Sequence, residues 1–260
     1  MALARADLES LLRARRLDRT LTTALPPIDP RDDSALAPSG ISALDARLGG
    51  GFPRGQVSEL VGARSSGRTS LLLQMLAAAT ARGELVAVVD ALDMLDVESA
   101  AAAGVDLARL LWIRGHVVTS PGMCRDTNQR ALEQAIRAFT LVLQAGNFGL
   151  VVFDAAEAPA DAVRRLPFTT WLRVQRIVEG SQTACVLVGG EPMARSSAGL
   201  TLRLGTAGAT AAVATGAATG IRFQNSLFDG LSVEARVIRA RAREQEEATV
   251  TFQTVTSNCA

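Results

Sequence analysis

The feature that most constrains this chain is the stretch Gly62-Ala63-Arg64-Ser65-Ser66-Gly67-Arg68-Thr69-Ser70. A phosphate-binding loop joins a strand to a helix through a glycine, four residues and then Gly-Lys-Ser/Thr. Every element of that pattern is present except the lysine, which is Arg68. The flanks fit: Gln56 to Val61 reads as a strand, and Leu71 to Leu76 opens a helix. Such a loop commits the chain to an α/β layout and leaves open whether it still handles a nucleotide or only keeps the shape.

Glu84–Asp90, Leu110–Arg114, Leu150–Asp154 and Ala184–Gly189 are apolar runs, several of them rich in valine and all too short for helices. They predict strands of a parallel sheet, the first and third fully buried. Residues 125–145 read as a long helix, and another strand starts at Leu200. Strands separated by helical stretches predict a mostly parallel twisted sheet flanked by helices. Near the C-terminus, Leu231–Arg241 and Ala248–Val255 alternate and predict a pair of antiparallel edge strands. Residues 1–38 form a separate unit in this reading: a helix over 2–21, with Leu8, Leu11, Leu12, Arg15 and Arg16 as a partner-facing set, then a linker rich in Pro, Asp and Ser. The core occupies 39–260. Within it, Gly205 to Gly220 is nearly all Gly, Ala, Thr and Val and reads as a flexible loop.

Composition narrows the function. A net charge of +1 supplies no general electrostatic attraction to nucleic acid. All 27 basic residues are arginine, so Arg68 belongs to a chain that uses no lysine anywhere. Cys124, Cys185 and Cys259 are scattered and His116 is the single histidine, which argues against a disulfide framework or a zinc site. With no signal-peptide pattern and no membrane-length apolar run, the expectation is a reduced, cytoplasmic protein without a membrane partner.

The residues from Ser39-Gly40-Ile41-Ser42-Ala43-Leu44-Asp45 through the glycine-rich turn, the Gly62–Ser70 loop, Asp90–Asp96 and Gly104–Leu111 resemble the RecA recombinase family. The likeness resumes at Asp154 and weakens beyond residue 155. It implies a RecA-like core without the RecA C-terminal domain. The resemblance places Gly62, Ser65, Ser66, Gly67, Arg68, Thr69 and Ser70 around the phosphates of a nucleotide, with Asp96 near the adenine. Thr69 and Asp154 take the Mg²⁺ positions if a Mg-nucleotide binds. Arg241 and Arg243 lie where the family has a basic pair that reaches a neighbour's nucleotide.

The departures fall on the chemistry. The family's catalytic glutamate corresponds to Leu92, whose isobutyl group neither accepts a proton nor orients water. The adenine-stacking tyrosine corresponds to Ser99, and Gly189-Gly190 stand where a γ-phosphate-sensing glutamine is expected. Arg68 keeps the charge of the missing lysine but is larger and planar. The connection after Asp154, Glu157–Asp161, and the Glu191–Gly199 segment are shorter than the family's DNA-binding loops. Within the superfamily, Ser65–Ser70 and Leu227-Phe228-Asp229-Gly230-Leu231 are similar to the ImuA type, accessory factors of damage-induced mutagenesis.

That resemblance implies a catalytically impaired adaptor. It would bind RecA or a translesion polymerase-like partner, require no cofactor, hold ATP or ADP with Mg²⁺ only weakly, and have the capacity to self-associate. Two alternatives stand beside it. One is a DNA-dependent ATPase in which Asp93 or Glu98 has replaced the lost carboxylate. The other is a module that contacts DNA through the arginines of 13–19 and of Arg236, Arg239, Arg241 and Arg243.

Overall fold

The computed structural model describes residues 35–115, 125–194, 198–206, 230–240 and 249–255. The expected features at residues 1–34, 205–220 beyond Thr206, Arg241, Arg243, His116, Cys124 and Cys259 lie outside the described residues.

Among the described residues, ten strands and six α-helices follow one another. They are β1 (Leu36–Ala37), α1 (Ser42–Leu48), β2 (Phe52–Pro53), β3 (Val57–Gly62), α2 (Arg68–Ala81), β4 (Val86–Asp90) and α3 (Val97–Ala102). Then come β5 (Leu110–Arg114), α4 (Arg125–Ala145), β6 (Leu150–Asp154), α5 (Ala160–Arg164), α6 (Phe168–Val178), β7 (Ala184–Gly189), β8 (Leu200–Thr206), β9 (Gly230–Ala240) and β10 (Thr249–Val255). Apart from a two-stranded ribbon of β1 and β2, all strands join one sheet in the order β10-β9-β8-β3-β7-β6-β4-β5.

The six strands from β8 to β5 are mutually parallel, and β9 and β10 continue the sheet antiparallel. This is the predicted α/β class. One detail differs: β9 is paired on both sides, to β8 and β10, so of this pair only β10 is an edge. The residues of β9 still alternate, with Val233, Ala235 and Val237 buried in the core and Arg236 exposed, because only one of its faces joins that core. The β1 residues Leu36 and Ala37 lie in the segment expected to be linker, yet both are buried and pair with Pro53 and Phe52.

Successive side chains of a strand point to opposite faces, and the core divides accordingly. Val86, Val88, Leu150, Val152, Val186 and Val188 face α1 and α2, together with Leu44, Leu71 and Leu76. Ala87, Val89, Val151, Phe153, Cys185 and Leu187 face α4 and α6, together with Leu132, Phe139 and Trp171. Phe153 makes tilted and edge-on ring contacts with Phe139 and Trp171. Strands β3, β4, β6 and β7 are thereby covered on both sides, which is why their sequences read as unbroken apolar runs. At the far end β5 is only half-covered, and Leu111 is exposed.

Candidate functional site

Parallel strands bring their C-terminal ends to one edge of the sheet, the usual place for a site in such folds. Here that edge carries the loop after β3, the 91–96 loop after β4 and the 155–159 loop after β6. Between them lies a cavity of 150 Å³ lined by Arg68, Thr69, Asp90, Leu92, Asp154 and Glu157, among others.

The Gly62–Ser70 loop turns tightly into α2. Ser65 and Gly67 both adopt left-handed backbone, φ 60° and 90°. A Cβ on Gly67 would overlap Val233 of β9, so glycine is required there by conformation and by contact. No side chain caps α2, and its first turn holds no acidic residue. A helix N-terminus of this kind presents backbone N–H groups and a partial positive charge to an anion. Ser66 is 5% exposed and its hydroxyl oxygen has no hydrogen-bond partner. That hydroxyl sits where a Cβ on Gly62 would fall, inside the loop, and Ser66 does not line the cavity, which Arg68 and Thr69 of the same loop do.

The arginines of the loop are directed elsewhere. Arg68 is buried, and its guanidinium donates to Ala156 O at 3.3 Å and to Glu157 Oε1 at 3.4 Å. Arg64, largely exposed, donates from Nε to Glu157 Oε2 at 2.6 Å. A planar fork can satisfy a carbonyl and a carboxylate together, which an ammonium group does less well. Glu157 thus becomes the acidic partner of both.

Asp154 ends β6 directly opposite Asp90 of β4. Burial, the neighbouring Asp90 and the nearby Glu157 push its carboxyl up to about 6, against the Ala156 N–H that it accepts at 2.8 Å and the charge of Arg68. Asp90 is buried and braces the loop that follows it, accepting from Leu95 N–H at 2.7 Å and Trp112 Nε1–H at 3.3 Å. Thr69 and Asp154 line the same cavity and would be the residues to hold Mg²⁺ beside a phosphate. The described residues contain no cluster of three or more acidic, His or Cys side chains suited to a metal by themselves.

Leu92 also lines the cavity, while its side chain, 8% exposed, belongs to the core cluster shared with α4 and α6. Neither Asp93 nor Glu98 lines that cavity. Asp93 is engaged bidentately by Arg114, at 2.7 Å to each oxygen, and this pairing holds its carboxyl below the ordinary range. Asp96 and Ser99, expected near a base, are also absent from the lining. Asp96 caps α3, accepting from the backbone N–H groups of Glu98 and Ser99 and from the Ser99 hydroxyl. Those bonds draw its carboxyl down.

Three acidic residues were not singled out from the sequence: Asp90, Glu157 and Glu59. Glu59, buried in mid-strand, accepts from the Met193 and Ala194 N–H groups at 2.7 Å and from Thr201 Oγ1 at 3.1 Å, anchoring the segment after Gly189. A charged residue in a parallel strand and two arginines four residues apart, Arg64 and Arg68, were the available signals. Arg236 and Arg239 lie on β9 and are exposed, and the remaining arginines and leucines of the expected interfaces fall outside the described residues.

The family description "RecA N-terminal domain" matches residues 29–163. Among curated relatives, Protein RecA of Clavibacter michiganensis subsp. michiganensis is 40% identical over 131 residues, 50% of this chain and 32% of that protein. Protein RecA of Salinispora tropica is 39% identical over 130 residues, and that of Acholeplasma laidlawii 39% over 122, covering 33% of each relative. The chain therefore spans about a third of the length of the curated relatives it matches. With a matching segment that covers just over half of its 260 residues, the chain belongs to the RecA family.

Proposed function

We propose that this chain is a RecA-like adaptor whose ATPase chemistry is impaired, acting in DNA repair and damage-induced mutagenesis through RecA or a translesion polymerase-like partner. The observation that carries the reading is Leu92, an aliphatic side chain in the wall of the cavity and rooted in the core. A general base must reach the proton it removes, directly or through one water. Asp93, the nearest substitute in sequence, has both carboxylate oxygens occupied by Arg114. The loop backbone meanwhile retains a phosphate-shaped turn, so weak binding of ATP or ADP with Mg²⁺ is compatible with lost hydrolysis. Bound Mg²⁺ would neutralise phosphate charge, with Thr69 and Asp154 as its protein contacts.

The ImuA-type assignment rests on the Ser65–Ser70 and Leu227–Leu231 sequences and on the short segments after β6 and β7. No helix among the described residues is long and apolar enough to cross a membrane. Work in the cytoplasm follows from the proposed partners.

Two measurements test the reading. Purified chain is expected to show no ATP turnover above background, with or without single-stranded DNA, under conditions where RecA is active; recombinase-like turnover refutes the impaired site. Pull-downs from DNA-damaged cells are expected to recover RecA or a polymerase-like protein, and to lose it when residues 1–22 are deleted. Recovery of neither partner by the intact chain counts against the adaptor role.

A further inference from the structure

We propose that Glu157 is a built-in anion that competes with phosphate for the arginines of the Gly62–Ser70 loop, and so sets how tightly the site takes a phosphate chain. The inference rests on the reading of that loop as a phosphate site and adds the residue that controls it.

One carboxylate serves two guanidinium groups from either side of Ser65–Gly67 in the loop. Its Oε2 accepts from Arg64 Nε at 2.6 Å, and its Oε1 lies 3.4 Å from Arg68 NH2. The other arm of Arg68 reaches Ala156 O at 3.3 Å. The Glu157 side chain is 22% exposed and stands in the cavity wall beside Thr69 and Asp154. The charges a phosphate would meet are thus already engaged by an anion.

On the backbone side of the same loop, the Ser66 N–H donates to Ala63 O at 3.3 Å and no acid is involved. The N-terminus of α2 has no side-chain cap, and the Ser66 hydroxyl is enclosed without a partner. The helix N-terminus therefore stands uncapped by any side chain next to a filled set of cations. Arg68 is buried, so loss of the Glu157 charge leaves its guanidinium short of an acceptor that water cannot readily replace. An incoming phosphate supplies that acceptor.

A competitor and a structural latch give opposite signs. If Glu157 only holds the loop shut in its working shape, neutralising it weakens phosphate binding. If it competes, neutralising it strengthens binding, because the affinity of a site is reduced by the fraction of time it is otherwise occupied.

The test is calorimetric titration of the full chain and of Glu157→Gln with inorganic tripolyphosphate and, separately, with ATP and Mg²⁺. Glu157→Gln is expected to bind both about tenfold more tightly than the unaltered chain, a size set by one partly buried and one exposed ion pair. Equal gains identify the phosphate chain as the ligand; a gain for ATP alone identifies the nucleotide. Unchanged or weaker binding of both overturns the proposal. Should thermal melting show Glu157→Gln unfolded, the Nε–H resonance of Arg64 in the unaltered chain becomes the readout. It is expected to shift on addition of millimolar tripolyphosphate, and a stationary signal overturns the proposal. Recombinase-like ATP turnover by the unaltered chain would refute the impaired-site reading without touching this competition. Unchanged binding by Glu157→Gln would refute the competition alone.

Discussion

Asp154 is held in an environment that resists its ionisation. Its folded-state carboxyl is raised from the ordinary 3.8 to about 6, chiefly by burial. Between those values the folded chain keeps a proton that the unfolded chain has lost, so stability falls as pH rises through this window and the penalty is complete above about pH 6. The full size is about 2–3 kcal/mol. Asp154→Asn is expected to flatten that slope in urea-unfolding curves taken from pH 4 to 7, with a gain in stability at pH 7; an unchanged slope would show that the carboxyl is not raised in the folded chain. Asparagine keeps a carbonyl oxygen to accept from Ala156 N–H. This residue was legible in the sequence, because it ends an apolar strand with a carboxylate. Its neighbour Glu157 was not. It looked like part of a short connection, and its partners Arg64 and Arg68 lie about 90 residues earlier in the chain.

At the scale of elements, the loop and β9 depend on each other. Gly67 adopts φ 90° and leaves no room for a methyl group against Val233. Gly67→Ala is expected to destabilise the fold by about 1–3 kcal/mol, from backbone strain and steric overlap. Val233→Ala alone should cost about 1–3 kcal/mol through the cavity it creates. The double variant is expected to be less unstable than the sum, since shrinking Val233 relieves the overlap; denaturant midpoints measure the coupling. Strict additivity would mean that β9 does not press on the loop. The loop, the helix after it and the four buried strands are all readable from local pattern, because each is an apolar run with a clear period or a motif with fixed spacing. The placement of β9 in the interior of the sheet is not, since an alternating strand reads the same whether one of its sides or both are paired.

Across the whole molecule, Arg54 ties together the edge of the sheet opposite the site. It donates to Leu36 O, Gly149 O and Gln182 O at 3.2, 3.0 and 2.9 Å and pairs with Glu84 at 2.8 Å. Those groups lie in β1 and just before β4, β6 and β7, so one guanidinium joins four segments far apart in sequence. Arg54→Lys is expected to cost about 2–4 kcal/mol, because an ammonium on a flexible stem cannot reach all four acceptors and leaves carbonyls unpaired. A thermal melt within experimental error of the original would contradict this. Hydrogen exchange should be slowest in β3, β6 and β7, enclosed on both faces, and faster in the half-covered β5 and the edge strand β10.

Sequence alone determined the α/β class, the loop and its helix, and the absence of a carboxylate at Leu92. Those features are written in local spacing, apolar runs and side-chain identity, which act over a few residues. Only the tertiary structure decided what the loop's arginines do. Their direction depends on which acid the folded sheet delivers to the same edge, and parallel strands bring together residues that share no local pattern. The loop keeps its phosphate-shaped backbone because its geometry is local. Its charges belong to Glu157 because electrostatic partners are chosen in space.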